Sequence, residues 1–175
     1  MKLGVICDGI SRDLSHALKV MDEFGLDYAE LQFVWDKEVG DHDASEIAQI
    51  KELLDTHNKP VSCLSRHIFA GLTTASKAGD KDHTRHMDYL KCVIEMAHQL
   101  NCPLVRIMTS KKEQILWGTN GAEHWNVAKG AWDTLPPLIA PAVDLARTEG
   151  VTLVVETGNG TMVNSNYTAV KLIDA

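Results

Sequence analysis

The 175-residue sequence lacks the features of a membrane protein or of a disulfide-rich secreted one. No apolar stretch is long enough to span a bilayer, and the N-terminus has no long apolar core of a signal peptide. The four cysteines stand far apart, with no Cys-x-x-Cys pair and no zinc-ribbon spacing, so we expect structural thiols. These absences predict a cytoplasmic protein with no membrane partner.

Several chemical motifs are also missing. No Gly-x-Gly-x-x-Gly and no Gly-Lys-Ser/Thr loop follows the first predicted strand, which argues against nucleotide binding of the Rossmann or P-loop kind. A Gly-x-Ser-x-Gly nucleophile elbow is absent too, so no motif supports an esterase. The net charge of -7 is spread along the chain and counts against nucleic acid as the main partner.

The residues that are present repeat one unit, an amphipathic helix followed by a break and a short β-branched run. The composition, 45% hydrophobic and 23% charged, is that of a globular protein, and we predict a single domain over residues 1–175. The predicted strands are 3–7, 28–34, 61–65, 104–108 and 152–156.

The predicted helices have polar N-caps and are ended by Gly, Asn or Pro. The predicted N-caps are Ser11, Asp43, Asp82 and Ser165. The predicted stops are Gly25, Asn58 and Asn101. In the long connection 111–150, three prolines predict a loop or broken helix first and a regular helix only over 142–148. His83 and His86, at the start of the third helix, are predicted to be solvated rather than metal ligands.

Strands that alternate with helices and are nearly continuously apolar predict a parallel α/β sheet. Two architectures fit: a complete flavodoxin-like sheet, or a (β/α) barrel of TIM type present as roughly the first five of eight βα units. The last helical pattern runs to Ala175 without a cap, which favours the N-terminal part of a longer barrel of about 250 residues. Strand order distinguishes the two.

Polar residues interrupt four of the strands or follow them closely. Glu30 lies in the second strand, His67 follows the third, Arg106 lies in the fourth, and Glu156 ends the fifth. Since ligands bind at the carboxyl ends of parallel strands, we expect these four side chains at one end of the sheet. Each of these residues, taken alone, has an ordinary structural explanation: a core ion pair, a solvated histidine or a helix cap. Their joint occurrence predicts a functional site.

Two loop residues complete the predicted substrate contacts. Trp117 lies in a glycine-containing loop after the fourth strand, where an aromatic side chain can stack on a sugar or simply pack the loop down. Asn159 lies in the turn that follows Glu156.

Four features carry a resemblance to a known family: the start of the first strand, the strand Tyr28-Ala29-Glu30-Leu31, the histidine at position 67, and the run Glu-Gly-Val-Thr-Leu-Val-Val-Glu at 149–156. Together they resemble the xylose isomerase-like TIM barrels, over residues 2–175. This superfamily includes sugar and sugar phosphate isomerases and epimerases, inosose dehydratase-like proteins, and the AP endonuclease family 2 or endonuclease IV branch.

The resemblance implies an isomerase or epimerase of a small sugar, polyol or sugar phosphate that works by proton transfer between carboxylates. It implies Glu156 as a catalytic acid/base and as a ligand of a divalent metal (Mn, Mg, Co or Zn), and Glu30 and His67 as substrate contacts. Arg106 is added from its position alone. The other metal ligands of the family come from later strands, so the site is incomplete in this chain and we expect the chain itself to be inactive.

The alternatives are an endonuclease IV-like metallohydrolase, which the acidic net charge disfavours, and a non-enzymatic flavodoxin-like binding domain. The expected partner is a small-molecule carbohydrate rather than nucleic acid or a membrane. Because an open five-stranded sheet exposes two edges and apolar surface, we also expect association, including a homo-oligomer.

Overall fold

A computed structural model describes the backbone of residues 1–111 and 129–175 and the side chains of residues 1–111 and 132–175. The strands are β1 (Gly4–Ile6), β2 (Tyr28–Leu31), β3 (Phe33–Val34), β4 (Lys37–Glu38), β5 (Val61–Ile68), β6 (Leu104–Ile107) and β7 (Thr152–Val155). The helices are α1 (Leu14–Glu23), α2 (Ala44–Thr56), α3 (Lys81–Gln99), α4 (Lys129–Glu149) and α5 (Asn166–Ile173), with a 3₁₀ turn at Cys7–Gly9.

Five strands form one parallel sheet in the order β1-β2-β5-β6-β7. Chain order and spatial order therefore agree, so each successive βα unit is added on the same side. A flavodoxin-like sheet would place its second strand outside the first, and that alternative is wrong. The fold is a parallel (β/α) barrel of TIM type, present as five βα units, as the sequence predicts.

The helices pack their apolar faces on the outer side of this sheet. The face of α1 that was expected from its spacing is buried, and it consists of Leu14, Ala17, Leu18 and Met21. Ala29 and Leu31 of β2, both fully buried, face the same core. Alternate strand residues point to opposite faces, so Glu30 between them points to the inner side of the sheet.

Two of the four predicted N-caps are confirmed and two are wrong. Asp43 and Ser165 both form capping boxes. Helix α1 is capped by Asp13 rather than Ser11, whose hydroxyl instead accepts the Asp13 backbone N–H at 3.1 Å. Helix α3 is capped by Asp80, which accepts the His83 backbone N–H at 2.8 Å, so the helix begins one residue before Asp82.

The predicted second strand, 28–34, is divided in two. β2 ends at Leu31, and Phe33–Val34 turns away to pair antiparallel with Lys37–Glu38. The two-residue turn between them has Trp35 at φ 54°, held by its N–H bond to the Arg12 carbonyl at 2.7 Å. This small hairpin brings Glu38 to the end of β5, which is longer than predicted and includes His67.

Helix α4 contradicts the prediction of a broken segment, because it runs unbroken from Lys129 to Glu149 through three prolines. Its residues Leu135, Leu138, Ile139 and Ala142 are buried against the sheet, and this packing outweighs the local cost of proline. None of the helices within the described ranges is long and apolar enough to cross a membrane.

His83 and His86 are buried, with 3% and 7% exposure, so the prediction of a solvated helix start is wrong. His83 Nε2 lies 2.9 Å from the Leu138 carbonyl of α4, and His86 Nδ1 accepts the Phe69 N–H at 3.0 Å. The Phe69 ring stacks on His83, with ring centroids 5.6 Å apart. These histidines are therefore core residues that join α3 to its neighbours.

An apolar groove of about 630 Å³ lies beside β7, between α4 and α5. β7 is the last strand of the described sheet, and Val143 and Ile173 on the groove wall are 40% and 76% exposed. Exposed apolar surface at a sheet edge is what the open barrel predicts. The last helix ends at Ile173 with Asp174 as its C-cap, two residues earlier than the pattern suggests.

Candidate active site

A cavity of about 350 Å³ lies on the inner face of the sheet. Three of its lining residues are charged: Glu30 from β2, Arg106 from β6 and Glu156 directly after β7. The complete lining is Ile6, Glu30, Cys63, Leu104, Arg106, Val154, Val155 and Glu156. Three of the four strand residues singled out from the sequence therefore share one cavity.

The closest charged contact in the cavity joins Arg106 Nη1 to Glu156 Oε2, 2.6 Å apart. Arg106 pairs with Val154 in the β6–β7 register, and the Glu156 N–H continues that ladder by donating to the Ile107 carbonyl at 3.1 Å. The backbone thus fixes the carboxylate beside the guanidinium. The arginine side chain is 8% exposed, whereas that of Glu156 is 41% exposed.

This contact has the distance of an ion pair without the angles of a hydrogen bond. Glu156 Oε2 is buried and has no hydrogen-bond donor among the described residues, and the same holds for Arg106 Nε, which has no acceptor. The opposite charges attract one another, but each group keeps an unused hydrogen-bonding position. Buried polar atoms without a hydrogen-bond partner are uncommon in folded proteins, so this pair calls for an explanation.

Arg106 also connects to Glu30 through Ser65. Its Nη2 donates to the Ser65 carbonyl at 2.5 Å, and the Ser65 hydroxyl donates to Glu30 Oε1 in a very short contact. Ser65 is fully buried in β5. A continuous polar chain therefore runs from β2 across β5 and β6 to the end of β7, from Glu30 through Ser65 and Arg106 to Glu156.

His67 lies outside this chain, in a second cluster further along β5. Its Nδ1 is 2.7 Å from Glu38 Oε1, and its Nε2 is 3.0 Å from Gln32 Nε2. The His67 side chain is 43% exposed, while that of Glu38 is 18% exposed. The histidine is therefore oriented by protein contacts and still open to solvent at the strand end.

The remaining predicted contacts are not part of either cluster. Asn159 is exposed in the turn after β7 and has no hydrogen bond to another described residue. Trp117 lies outside the residues that the structure describes. Sequence reasoning missed two polar residues that the site uses, Ser65 and Glu38. Ser65 could have been found from its place two residues after Cys63 in the same strand, since alternate residues share a face.

The cavity also contains a thiol, that of Cys63. Burial raises the pKa of this thiol, so it remains protonated and is a poor metal ligand or nucleophile at neutral pH. Burial raises the pKa of Cys7 to about 12 and that of Cys102 to about 11. These three cysteines are buried free thiols, as the predicted structural role requires, whereas Cys92 is exposed.

A divalent metal ion needs several oxygen or nitrogen ligands around it. Glu156 offers a carboxylate oxygen, which is a suitable ligand for Mg²⁺ or Mn²⁺. Within the described part of the chain, however, no group of three or more His, Cys, Asp or Glu side chains is placed to hold an ion. A guanidinium already contacts Glu156. These residues alone do not make a complete metal site.

Five sequential parallel strands, each followed by a helix that packs on the outer side, define a protein of the (β/α)-barrel class. The chain belongs to the xylose isomerase-like TIM barrel family, whose model matches residues 18–175. No curated protein sequence matches the chain.

Solved structures agree with this family assignment. A D-allulose 3-epimerase from Methylomonas sp. in complex with D-allulose is 14% identical, with a TM-score of 0.65 over 99% of this chain and 58% of its own. The IOLI protein with a bound zinc atom is 20% identical, with a TM-score of 0.66 over 99% and 58%. An AP endonuclease, family 2, from Brucella melitensis is 16% identical, with a TM-score of 0.65 over 99% and 64%.

At these identities the likeness extends to the fold alone. The chain spans between 58% and 64% of the length of these three structures. The activity of a whole protein of this kind is therefore a matter of proposal.

Proposed function

We propose that this chain contributes five βα units to an isomerase or epimerase of a small sugar, polyol or sugar phosphate. The reaction is a proton transfer at a carbon next to a carbonyl, performed by carboxylates. The observation that carries the proposal is the position of Glu156, directly after β7 on a cavity shared with Glu30 and Arg106. An acid at the carboxyl end of a barrel strand is typical of a catalytic residue.

The three charged residues of the cavity each have a role in this proposal, and three residues outside it are added as substrate contacts. Glu156, with 41% of its side chain exposed, is the group that removes or returns the substrate proton. Arg106 is a positioning residue, because it contacts the Glu156 carboxylate and is itself anchored on the Ser65 carbonyl. Glu30 and His67 contact substrate hydroxyl groups, and so do Trp117 and Asn159 from the loops.

A divalent metal ion, Mn, Mg, Co or Zn, is part of the proposal, with Glu156 as one ligand. When bound, such an ion polarises a carbonyl and an adjacent hydroxyl. The zinc atom in one of the similar structures supports a metal in this family. Since the described residues do not complete a site, the other ligands would come from outside them.

The similar epimerase, crystallised with D-allulose, supports a sugar as the substrate class. Its greater length supports the further proposal that residues 1–175 form one (β/α) domain of a longer barrel. On this view the 175 residues alone are inactive, and the complete barrel carries the activity.

The proposal is tested by hydrogen exchange at the substrate carbon. The protein carrying the complete barrel is incubated in D₂O with Mn²⁺ and a panel of ketoses, including D-allulose, and deuterium incorporation is followed by NMR. We expect exchange into at least one sugar, together with a new isomer or epimer. Glu156→Gln should abolish exchange and leave the circular dichroism spectrum unchanged, because it removes the proton-accepting carboxylate and keeps the side-chain shape.

Glu52→Gln is the matched control, since it makes the same chemical change on an exposed position of α2. It should exchange at the wild-type rate. Full exchange in Glu156→Gln would exclude Glu156 as the base. Cleavage of DNA at abasic sites without sugar exchange would instead support the metallohydrolase, the alternative suggested by the similar AP endonuclease.

A further inference from the structure

One ring nitrogen of His67 contacts an acid, and the other lies near an amide. We propose that Glu38 is a positioning residue that fixes His67 as the tautomer with its proton on Nδ1. Nε2 then carries a lone pair, which accepts a hydrogen bond from a hydroxyl group of the ligand. This role rests on the proposed function, in which His67 contacts a substrate hydroxyl. It adds which of the two groups donates and which residue enforces that direction.

His67 lies on the inner face of the sheet, the same face as the cavity. Alternate residues of a strand share a face, and Cys63 of the cavity lining is followed on β5 by Ser65 and then by His67. Arg66 points to the opposite side, where its guanidinium carbon lies 4.2 Å from the ring centroid of Tyr89 in α3. His67 is therefore one step beyond Ser65 toward the carboxyl end of the strand, where ligands of barrel proteins bind.

The partner of Nδ1 is a carboxylate, which can only accept hydrogen bonds when it is ionised. Glu38 Oε1 lies 2.7 Å from Nδ1 and also accepts the His67 backbone N–H at 3.0 Å. Glu38 Oε2 lies 3.6 Å from Nε of the buried Arg66, so the two oxygens have separate partners. A proton on Nδ1 satisfies this contact, and in the neutral ring it leaves Nε2 unprotonated.

The amide of Gln32 does not occupy the lone-pair direction of Nε2. Its nitrogen lies 3.0 Å from Nε2 and 3.4 Å from Nδ1, so its distances to the two ring nitrogens are similar. A donor in line with the Nε2 lone pair would lie on the far side of Nε2, much farther from Nδ1. The amide thus lies beside the ring, and 43% of the His67 side chain is exposed. A hydroxyl group can therefore approach Nε2 from solvent.

The protonation of Nε2 sets the chemistry that the site recognises. An unprotonated Nε2 accepts a hydrogen bond and cannot donate one, so it favours a hydroxyl group over a carbonyl, ether or phosphate oxygen that carries no proton. The other neutral tautomer would bind any of these oxygens, because its Nε2–H donates. Glu38 therefore makes His67 selective for a hydroxyl group.

The first measurement determines the tautomer without any ligand. Two-bond ¹H–¹⁵N correlations of the ¹⁵N-labelled 175-residue chain distinguish protonated from unprotonated ring nitrogens, at pH 8.5, where histidine rings are ordinarily neutral. Comparison with His67→Asn assigns the signals. The native chain should carry the proton on Nδ1. Glu38→Ala should lower the ratio of the Nδ1–H form to the Nε2–H form by about tenfold or more, because a charge-assisted hydrogen bond to the first form is lost.

Three variants locate the effect. Glu38→Gln should retain the Nδ1–H form, since its amide oxygen has to face the His67 backbone N–H and the ring contacts that same oxygen. Gln32→Ala should retain it too, because the amide lies beside the ring. Glu95→Ala, at an exposed position of α3, is the control for loss of a surface glutamate and should match the native chain.

Three results of this measurement would overturn the proposal. The first is a native chain with the proton on Nε2, which decides the matter even if no variant folds. The second is an unchanged ratio in Glu38→Ala whose circular dichroism shows a native fold. The third is an equal fall of the ratio in Gln32→Ala, since Gln32 would then set the tautomer.

The second measurement uses the protein carrying the complete barrel and the ketose whose deuterium exchange is fastest. Glu38→Ala should raise KM by about tenfold and change kcat less, because the lost acceptor contributes to binding rather than to proton removal. Glu38→Gln should recover most of the affinity, and Glu95→Ala should leave both constants unchanged. An altered tautomer with a native KM in Glu38→Ala would overturn the hydroxyl contact.

The two measurements separate this proposal from the proposed function. An unchanged tautomer in Glu38→Ala, together with exchange in the native protein, would reject the role of Glu38 and keep the proposed function. Absence of exchange with every ketose would reject the proposed function, and with it the hydroxyl contact of His67.

Discussion

Glu38 Oε1 contacts His67 twice, lying 2.7 Å from the ring Nδ1 and accepting the backbone N–H at 3.0 Å. The same carboxylate places Oε2 3.6 Å from Arg66 Nε, whose guanidinium is almost fully buried. The β3–β4 hairpin is therefore fastened to the end of β5 by one acid. That acid also fixes the orientation of the exposed histidine.

The first prediction concerns this acid. Glu38→Ala should lower the free energy of unfolding by about 1–3 kcal/mol, because it leaves the His67 N–H without its acceptor and removes one acid from buried Arg66. The measurement is urea unfolding followed by circular dichroism. Arg66 keeps its 2.7 Å contact with Asp41, so the chain should still fold.

Glu38→Gln separates the two contributions, since its amide oxygen can still accept the His67 N–H while the charge is lost. It should be destabilised less than Glu38→Ala. Glu95→Ala, at an exposed position of α3, provides the baseline for loss of a surface glutamate. Equal unfolding midpoints for Glu38→Ala and Glu95→Ala would show that the hairpin contact contributes nothing.

Glu38 also illustrates what the sequence could not predict. The apolar pattern from Tyr28 to Val34 indicates one continuous strand, and no Asn-Gly or Asp-Gly pair signals a hairpin after it. The turn instead uses Trp35 with a positive φ, supported by the carbonyl of Arg12 from a distant part of the chain. A turn that depends on a tertiary contact of this kind produces no recognisable pattern in the local sequence.

The parallel sheet, by contrast, could be predicted, since it depends on local signals. The apolar spacing of α1 and the breaks at Gly25, Asn58 and Asn101 give the alternation of helix and strand. The sequence did not predict the full length of helix α4, because prolines such as Pro136 locally disfavour a helix. The burial of the helix against the sheet stabilises it nevertheless.

Strand geometry made it possible to predict which residues share the cavity. Glu30 and Arg106 each stand at an alternate position between outward-facing neighbours, and parallel register brings such positions together. The sequence could not predict that Arg106 forms its ion pair with Glu156 rather than with Glu30. That choice depends on how far neighbouring strands are shifted along one another. The roles of these residues in binding remain predictions.

The second prediction concerns the end of α2. Asn58 has φ 51°, and the Lys59 N–H donates to the Leu54 carbonyl at 2.9 Å, which is a helix-ending Schellman pattern. Asn58→Ala should lower the free energy of unfolding by about 1 kcal/mol, because alanine lacks the short polar side chain that lets asparagine tolerate this left-handed conformation. Asn58→Gly should be neutral or slightly stabilising.

Thermal unfolding of the two variants provides the measurement, with Glu52→Ala on the same helix as the control at an ordinary helical position. The control should lie within about 0.5 kcal/mol of the native chain. If Asn58→Ala were as stable as Asn58→Gly, the left-handed end of α2 would be ruled out.

The third prediction compares two glycines with similar positive φ angles. An added Cβ at Gly40 (φ 92°) would lie 2.9 Å from Val93 Cγ2 and 3.1 Å from the Val93 nitrogen, whereas at Gly71 (φ 87°) it would meet nothing within 4 Å. Gly71→Ala should cost about 1–2 kcal/mol for the backbone conformation alone. Gly40→Ala should cost about 1–3 kcal/mol more, because it also overpacks the helix contact.

Urea unfolding of both variants tests this difference directly, since the conformational cost is shared and the steric cost is not. Gly40 lies directly before Asp41, the acid that contacts Arg66. A Gly40→Ala chain that unfolds at the same urea concentration as Gly71→Ala would contradict the close approach of this loop to α3.

The last prediction concerns pH. Burial lowers the pKa of His86, whose Nδ1 accepts the Phe69 N–H and so requires the neutral ring. An unfolded histidine titrates near pH 6.5, so below about pH 6.5 the unfolded chain binds a proton that the folded chain resists. The contribution of His86 to the free energy of unfolding is therefore fully present above this pH. It decreases as the pH falls, until the pH has passed below the lower pKa of the folded state.

Urea unfolding at pH 7.5 and 5.5 measures this loss of stability. His86→Asn, whose amide oxygen can accept the same N–H without titrating, should show a smaller loss over this range, whereas His16→Asn, at an exposed position of α1, should behave like the native chain. Identical pH dependence in His86→Asn and the native chain would assign the acid sensitivity to other groups.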